Sequence, residues 1–312
     1  MDRRKLTILA AFLAVYVIWG STYLAIRFGV ETMPPFLMAS ARWLLAGAAL
    51  YAWRRAAGDA RPTARHWLSA SIIGIALVVG GNGLVSWAQQ WVPSSLAALI
   101  IAIVPLWITL ILWARTKVPP AMRAAAGILL GLAGVAFLFG PALVAGLNGS
   151  LSFFLGTLAI LGATLSWASG SIYSRTARTH PSILLAAAMQ MLAGGAVLGI
   201  AGLGFGEATR VDLDAITLRS WLSFAFLVLF GSIVAYSAYV WLLRTVRAEL
   251  VATYAFVNPI VAVALGTLIA GEALTAWTLL ASALIIVGVG LVVTAGPPRP
   301  APNTTPAPAP KV

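Results

Sequence analysis

Apolar residues gather into ten runs, at about 6–26, 35–53, 68–89, 94–114, 122–140, 151–172, 182–203, 220–243, 250–270 and 275–295. Polar and charged residues collect between them. At about 1.5 Å of rise per residue, each run is long enough to cross a bilayer core of about 30 Å as a helix. Most connections are short, so neighbouring helices are expected to run antiparallel. The pattern predicts an all-α integral membrane protein with ten transmembrane helices. Composition agrees, since 61% of residues are hydrophobic and 9% charged, proportions that an ordinary soluble domain does not reach.

Residues 250–270 contain no charge, yet Asn258-Pro259 falls near the centre of the run. Proline has no N–H to bond four residues back, so a break is expected there, with the carbonyl of Ala255 released. A freed carbonyl in hydrocarbon needs protein or water around it. The stretch SSLAALIIAIVPLWITLILWA at 94–114 aligns with this run at an offset of 154, which sets Pro105 on Pro259. At an offset of 148, Trp19 and Arg27 match Trp167 and Arg175. At 150, Gly81, Ala88 and Trp91 match Gly231, Ala238 and Trp241, and Gly134-Val135 matches Gly288-Val289 at 154. The chain therefore reads as two five-helix repeats, 6–140 and 151–295. An odd number of helices makes the second copy enter the membrane from the opposite side, so the repeats are inverted. Paired proline-interrupted helices in corresponding halves point to the binding site of a transporter.

Charge then sets orientation. The formal charge of +12 would suit a nucleic-acid partner if it formed one surface. It lies instead in short clusters between apolar runs, which is the signature of membrane topology. Of the 20 Lys and Arg residues, all but Arg27, Arg42, Arg210 and Arg219 fall on one side. The more basic side is expected to be cytoplasmic, with both termini there. The start, MDRRKLTILAAFLAVYVIWGST, resembles a signal peptide, but its apolar run continues to Ile26 without a small-x-small cleavage site, so it is expected to remain as the first helix. Residues 296–312 are proline-rich and read as a disordered cytoplasmic tail. Cysteine is absent, which excludes disulfides and thiolate metal sites.

Polar side chains inside apolar helices each need a partner or water, and so are the candidates for a site. Asn82, Ser86 and Gln89 share one face of the third helix, and at offset 150 they become Ser232, Tyr236 and Tyr239 on the eighth. These stripes are either two walls of one cavity or hydrogen bonds between packed helices. Trp19 and Tyr23 form an aromatic pair on the first helix, suited to an organic substrate or to interfacial anchoring. Tyr254 and Asn258 lie four apart beside the proline. Arg42, about seven residues into the second helix, must snorkel, pair or face a wet cavity. Glu31 and Glu272 are its expected partners if it pairs; its counterpart Gln190 at offset 148 favours the cavity. The substrate-binding set is therefore Trp19, Arg42, Asn82, Ser86, Gln89, Tyr236, Tyr239, Tyr254 and Asn258. Glu272 is expected to cap the tenth helix or join a loop salt bridge. Gly127-x3-Gly131 suits close helix packing, within the chain or at a homodimer seam. Asn148 and Asn303 begin glycosylation sequons.

The segments IWGSTYLAIRFGVETMPP, GGNGLVSWAQQWVPSSLAAL, LSWASGSIYSR, LFGSIVAYSAYVWLLR and ATYAFVNPIVAVALGTLIAGEAL resemble EamA-type transporters of the drug/metabolite superfamily, and look closest to its YedA-like bacterial inner-membrane members. The resemblance spans about residues 6–295. It implies two EamA repeats around a central cavity, and export of small molecules by alternating access across a bacterial inner membrane. The residues narrow the substrate. All eight acids lie in termini, loops or helix ends, whereas proton-coupled export of cationic drugs generally needs a buried carboxylate. Neutral, zwitterionic or weakly anionic metabolites such as amino acids are expected, with a cationic-drug exporter or a lipid flippase as alternatives. Glu249 is the nearest to a proton carrier. His66 and His180 join no triad or metal spacing, so no catalytic residue, cofactor or metal is expected.

Overall fold

Threonine and serine mark where several helices begin. Thr63, Ser182, Thr217 and Thr275 each accept a hydrogen bond from the backbone N–H three residues on, at His66, Leu185, Ser220 and Thr278. Each satisfies a donor that the first helical turn leaves without an internal partner. The computed structural model describes residues 3–147, 151–246, 248–251 and 253–295, and their side chains apart from 138–147, 248, 249 and 256. The helices are α1 (Arg3–Gly29), α2 (Pro35–Ala56), α3 (Ala64–Ala88), α4 (Ser94–Thr116), α5 (Met122–Leu147), α6 (Leu151–Ser174), α7 (Ile183–Gly204), α8 (Leu218–Thr245), α9 (Tyr254–Ala270) and α10 (Ala276–Thr294). Among the described residues there is no strand. Eight of these helices are long and apolar enough to cross a membrane, and α5 and α9 contain the shorter apolar stretches Met122–Phe137 and Val257–Ala270.

Small residues let the helices approach closely. α5 lies along α10, where a Cβ added at Gly127 would stand 2.5 Å from the Gly288 carbonyl oxygen. The Gly127-x3-Gly131 face is thus occupied within the chain by α10. α2 lies along α7 in the same manner, with Gly47 against Met191 and the Ala188 carbonyl and Gly195 against Leu44.

Three helices contain wider, π-type turns: Ala14–Ile18 in α1, Ile75–Gly83 in α3 and Leu227–Tyr236 in α8. Such turns frequently sit at functional sites because they re-aim side chains within a continuous helix. Here they carry or adjoin Trp19, Asn82, Ser232 and Tyr236. The proline helices differ from expectation. α4 has a turn at residues 102–103, just before Pro105. α9, however, runs on through Pro259, and the interruption lies at Thr253, after the short helix Ala248–Val251. The expected break at Asn258-Pro259 is therefore displaced toward the N-terminus. A proline removes a single backbone donor, which a helix can absorb near its start.

The sequons at Asn148 and Asn303, the 296–312 tail and the Glu249 side chain fall outside the described residues.

Candidate functional site

Four aromatic side chains from four helices meet at the centre of the molecule. Trp19 of α1 stands edge-on to Trp167 of α6, with ring centroids 5.4 Å apart, and lies 4.9 Å from Tyr239 of α8. Tyr254 of α9 completes the group, 5.8 Å from Trp19 and 6.0 Å from Tyr239. The polar edges of three of the rings have partners. Trp19 Nε1 donates to the Gly231 carbonyl at 3.2 Å, Trp167 Nε1 donates to the Tyr239 hydroxyl at 3.2 Å, and Ser171 Oγ meets that hydroxyl at 2.8 Å. Edge-on and tilted pairs of this kind contribute about 0.5–1.5 kcal/mol each beyond burial. The rings therefore hold a fixed arrangement.

This aromatic box separates two spaces. On one side is a vestibule of about 410 Å³, lined by residues such as Pro105, Leu112, Trp113 and Val292, with Ser171, Tyr239 and Tyr254 at its inner limit. Arg175 and residues of the connection after α4 also line it, so it opens toward the end of the bundle where most arginines lie. On the other side is a chamber of about 50 Å³ bordered by Trp19, Thr22, Tyr23, Arg42, Asn82 and Trp167. Tyr254 borders both spaces.

Arg42 is 1% exposed. Its Nε donates to Ser232 Oγ at 2.8 Å and its Nη1 to Asn82 Oδ1 at 3.2 Å, and the guanidinium lies 4.4 Å from the centre of the Trp43 ring. The expected pairing with Glu31 or Glu272 does not occur. Glu31 pairs with Arg219, while Glu272 is held elsewhere.

At the other end of the bundle, polar clasps join the helices. Glu272 Oε1 accepts from the Ser94 N–H and hydroxyl, both at 2.7 Å, and Oε2 accepts from the Ser95 N–H at 2.9 Å. Glu272 thus caps α4; the expected cap of α10 is supplied by Thr275 instead. A carboxylate at a helix N-terminus meets free N–H groups and the positive end of the helix dipole, which draws it across from α9. Burial pushes the Glu272 carboxyl upward, but the hydrogen bonds from Ser95 and Ser94 prevail and hold it below the usual range. Glu207, after α7, caps α2 in the same way through the N–H groups of Phe36 and Leu37. Arg27 adds donations to the Gln89 and Gln90 carbonyls, and Thr32 donates to Ser220.

Of the residues expected from the sequence, Trp19, Arg42, Asn82, Tyr239 and Tyr254 are brought together around these spaces. The others have partners within their own helix or on a neighbouring one. Ser86 Oγ donates to the Asn82 carbonyl at 3.0 Å, and Gln89 Nε2 donates to the Tyr23 carbonyl at 3.0 Å. Tyr236 donates to Gln190 Oε1 at 2.8 Å. Asn258, oriented so that its amide nitrogen faces acceptors, donates to the carbonyls of Tyr16 and Tyr254 at 3.1 and 3.3 Å. Sequence reasoning matched Trp167 to Trp19 as a repeat position but did not place it at the site, and it missed Trp43 and Ser171. Ser171 sits four residues after Trp167 on α6, a spacing that could have marked it. Among the described residues no group of three or more His, Cys, Asp or Glu side chains gathers where a metal could be held.

Comparison with known proteins adds a family. The EamA-like transporter family model matches residues 5–140 and again 154–294. The inner membrane transporter YedA of Escherichia coli K12, itself uncharacterized, is 41% identical over 293 residues, covering 93% of this chain and 92% of YedA. A probable amino-acid metabolite efflux pump of the same organism is 28% identical over 292 residues, covering 89% and 91% of the two chains. A solved protein structure shares the fold with a TM-score of 0.63 at 22% identity, over 92% of this chain and 96% of that one.

Proposed function

We propose, from the premise that this chain belongs to the EamA-like transporter family, that it exports small neutral, zwitterionic or weakly anionic metabolites by alternating access. The observation that carries the reading is the aromatic box, with a vestibule open toward the basic end and clasps joining the helices at the other. A chain that binds substrate from one side and releases it on the other needs such a wall between two access routes. In this reading ten helices cross a bacterial inner membrane, and residues 6–140 and 151–295 form two inverted five-helix repeats. The two separate family matches support that division. Both termini and the vestibule face the cytoplasm, as the distribution of arginines favours, and the structure corresponds to an inward-open state.

Substrate charge follows from the lining. Among the described residues no acid borders the vestibule or the chamber, so a permanent cation finds ring faces there but no counter-charge. The printed name of the 28% identical relative, an amino-acid metabolite efflux pump, is in keeping with this. The test is uptake into sealed inside-out vesicles, with labelled amino acids and a quaternary ammonium dye offered in parallel. Saturable amino-acid uptake that exceeds dye uptake is expected. Robust dye uptake with no amino-acid uptake would overturn the substrate class.

A further inference from the structure

Arg42 is a buried cation with an incomplete set of partners. A guanidinium has five N–H donors, and only Nε and Nη1 have hydrogen-bond acceptors among the described residues, both of them neutral. Nη2 has none. It lies beside Gly231, where a Cβ would come within 3.0 Å of it and of Thr22 Cγ2. Glycine at 231 lets the α8 backbone pack close to that flank of the guanidinium, and Arg42 itself borders the chamber. The described acids are engaged or distant. Glu31 is with Arg219, Asp59 with Arg54, Glu207 with Arg210 and the start of α2, and Glu272 with the start of α4. Asp212 and Asp214 are on an exposed connection. A charge this deep in an apolar protein faces the bundle interior or a wet cavity, and such residues mark substrate or ion pathways.

The space beside Arg42 limits what that anion can be. One water needs about 10–15 Å³ of such space, so a chamber of about 50 Å³ takes a group the size of a carboxylate rather than a whole metabolite. Asn82 and Thr22 border it as further polar contacts, and the aromatic box forms the wall toward the vestibule. We propose that the chamber is a carboxylate subsite. The transported molecule docks head-first, its carboxylate against Arg42 Nη2 and its body past Tyr254, which borders both spaces, toward the vestibule. A zwitterion's ammonium then faces ring surfaces, which attract cations. This names the recognised group of the site argued above and rests on that reading. An inorganic anion such as chloride has the same charge chemistry, and the test separates the two.

The experiment measures binding by thermal unfolding of the full-length protein purified in detergent, without any flux. Each amino acid is compared with its own carboxamide, in chloride-free buffer, and chloride is titrated alone. At least one amino acid should stabilise the protein saturably, with its carboxamide weaker by about tenfold or more, as expected for loss of a charge-assisted contact. Arg42→Gln should abolish the difference, and Arg42→Lys should keep part of it. Because the carboxylate–carboxamide comparison is made on the unaltered chain, misfolding of a variant does not remove the test. Equal binding of carboxamides, no binding by any amino acid, or chloride alone reproducing the whole effect would overturn the proposal. Carboxylate-selective binding without movement across vesicles would keep this inference and discard the transport reading. Transport indifferent to the carboxamide would do the reverse.

Discussion

Asn258 shows what a single residue's surroundings decide. Its position beside Pro259 suggests a polar group released into a cavity, but its amide nitrogen ties α9 to the Tyr16 carbonyl in the π-type turn of α1. The role that follows is to position Tyr254, four residues earlier, at the box. Asn258→Leu should lower stability by about 1 kcal/mol, the typical value of one hydrogen bond between helices. Amino-acid affinity of the protein that remains folded should stay near wild type. Thermal unfolding with a binding titration checks this, and lost affinity at unchanged stability would return Asn258 to direct substrate contact. The sequence picked out Asn82, Ser86 and Gln89 as one stripe by helical spacing. Spacing gives the face of a helix; it does not say whether that face meets a cavity, as at Asn82, or a neighbouring carbonyl, as at Gln89.

Between elements, legibility depended on whether the signal was local. Apolar runs are local, and helix positions follow from them. The Glu272 clasp is not, because the donors it accepts from lie 178 and 177 residues away in sequence, at Ser94 and Ser95. The π-type turns left no trace that periodicity could read. The clasp carries its own expectation. The Glu272 carboxyl is depressed by its hydrogen bonds, so the folded form favours the ionised state. Its contribution is complete above the ordinary carboxylate range and is lost as pH falls through the lowered folded value. Glu272→Ala should loosen the far end at neutral pH. A single cysteine at Thr22, in this cysteine-free chain, should then react faster with an impermeant maleimide added from that side. Unchanged labelling would show that the clasp does not hold the closure.

At the scale of the whole molecule, hydropathy alone accounts for the helical membrane character of the described residues, and the repeated Trp, Gly and Pro positions are the ground for expecting two halves. What it could not give is which end is open, since that is a property of one state among those the chain visits. The central claim is that substrate crosses through the vestibule and the aromatic box. The most direct test is flux of a bound amino acid in proteoliposomes, using the single variant Leu112→Cys in the vestibule wall. An impermeant maleimide is applied to one face of the membrane at a time. The account predicts saturable flux that stops when the maleimide reaches the basic end of the bundle and continues when it is confined to the other. Flux that persists with the vestibule cysteine fully modified would contradict it.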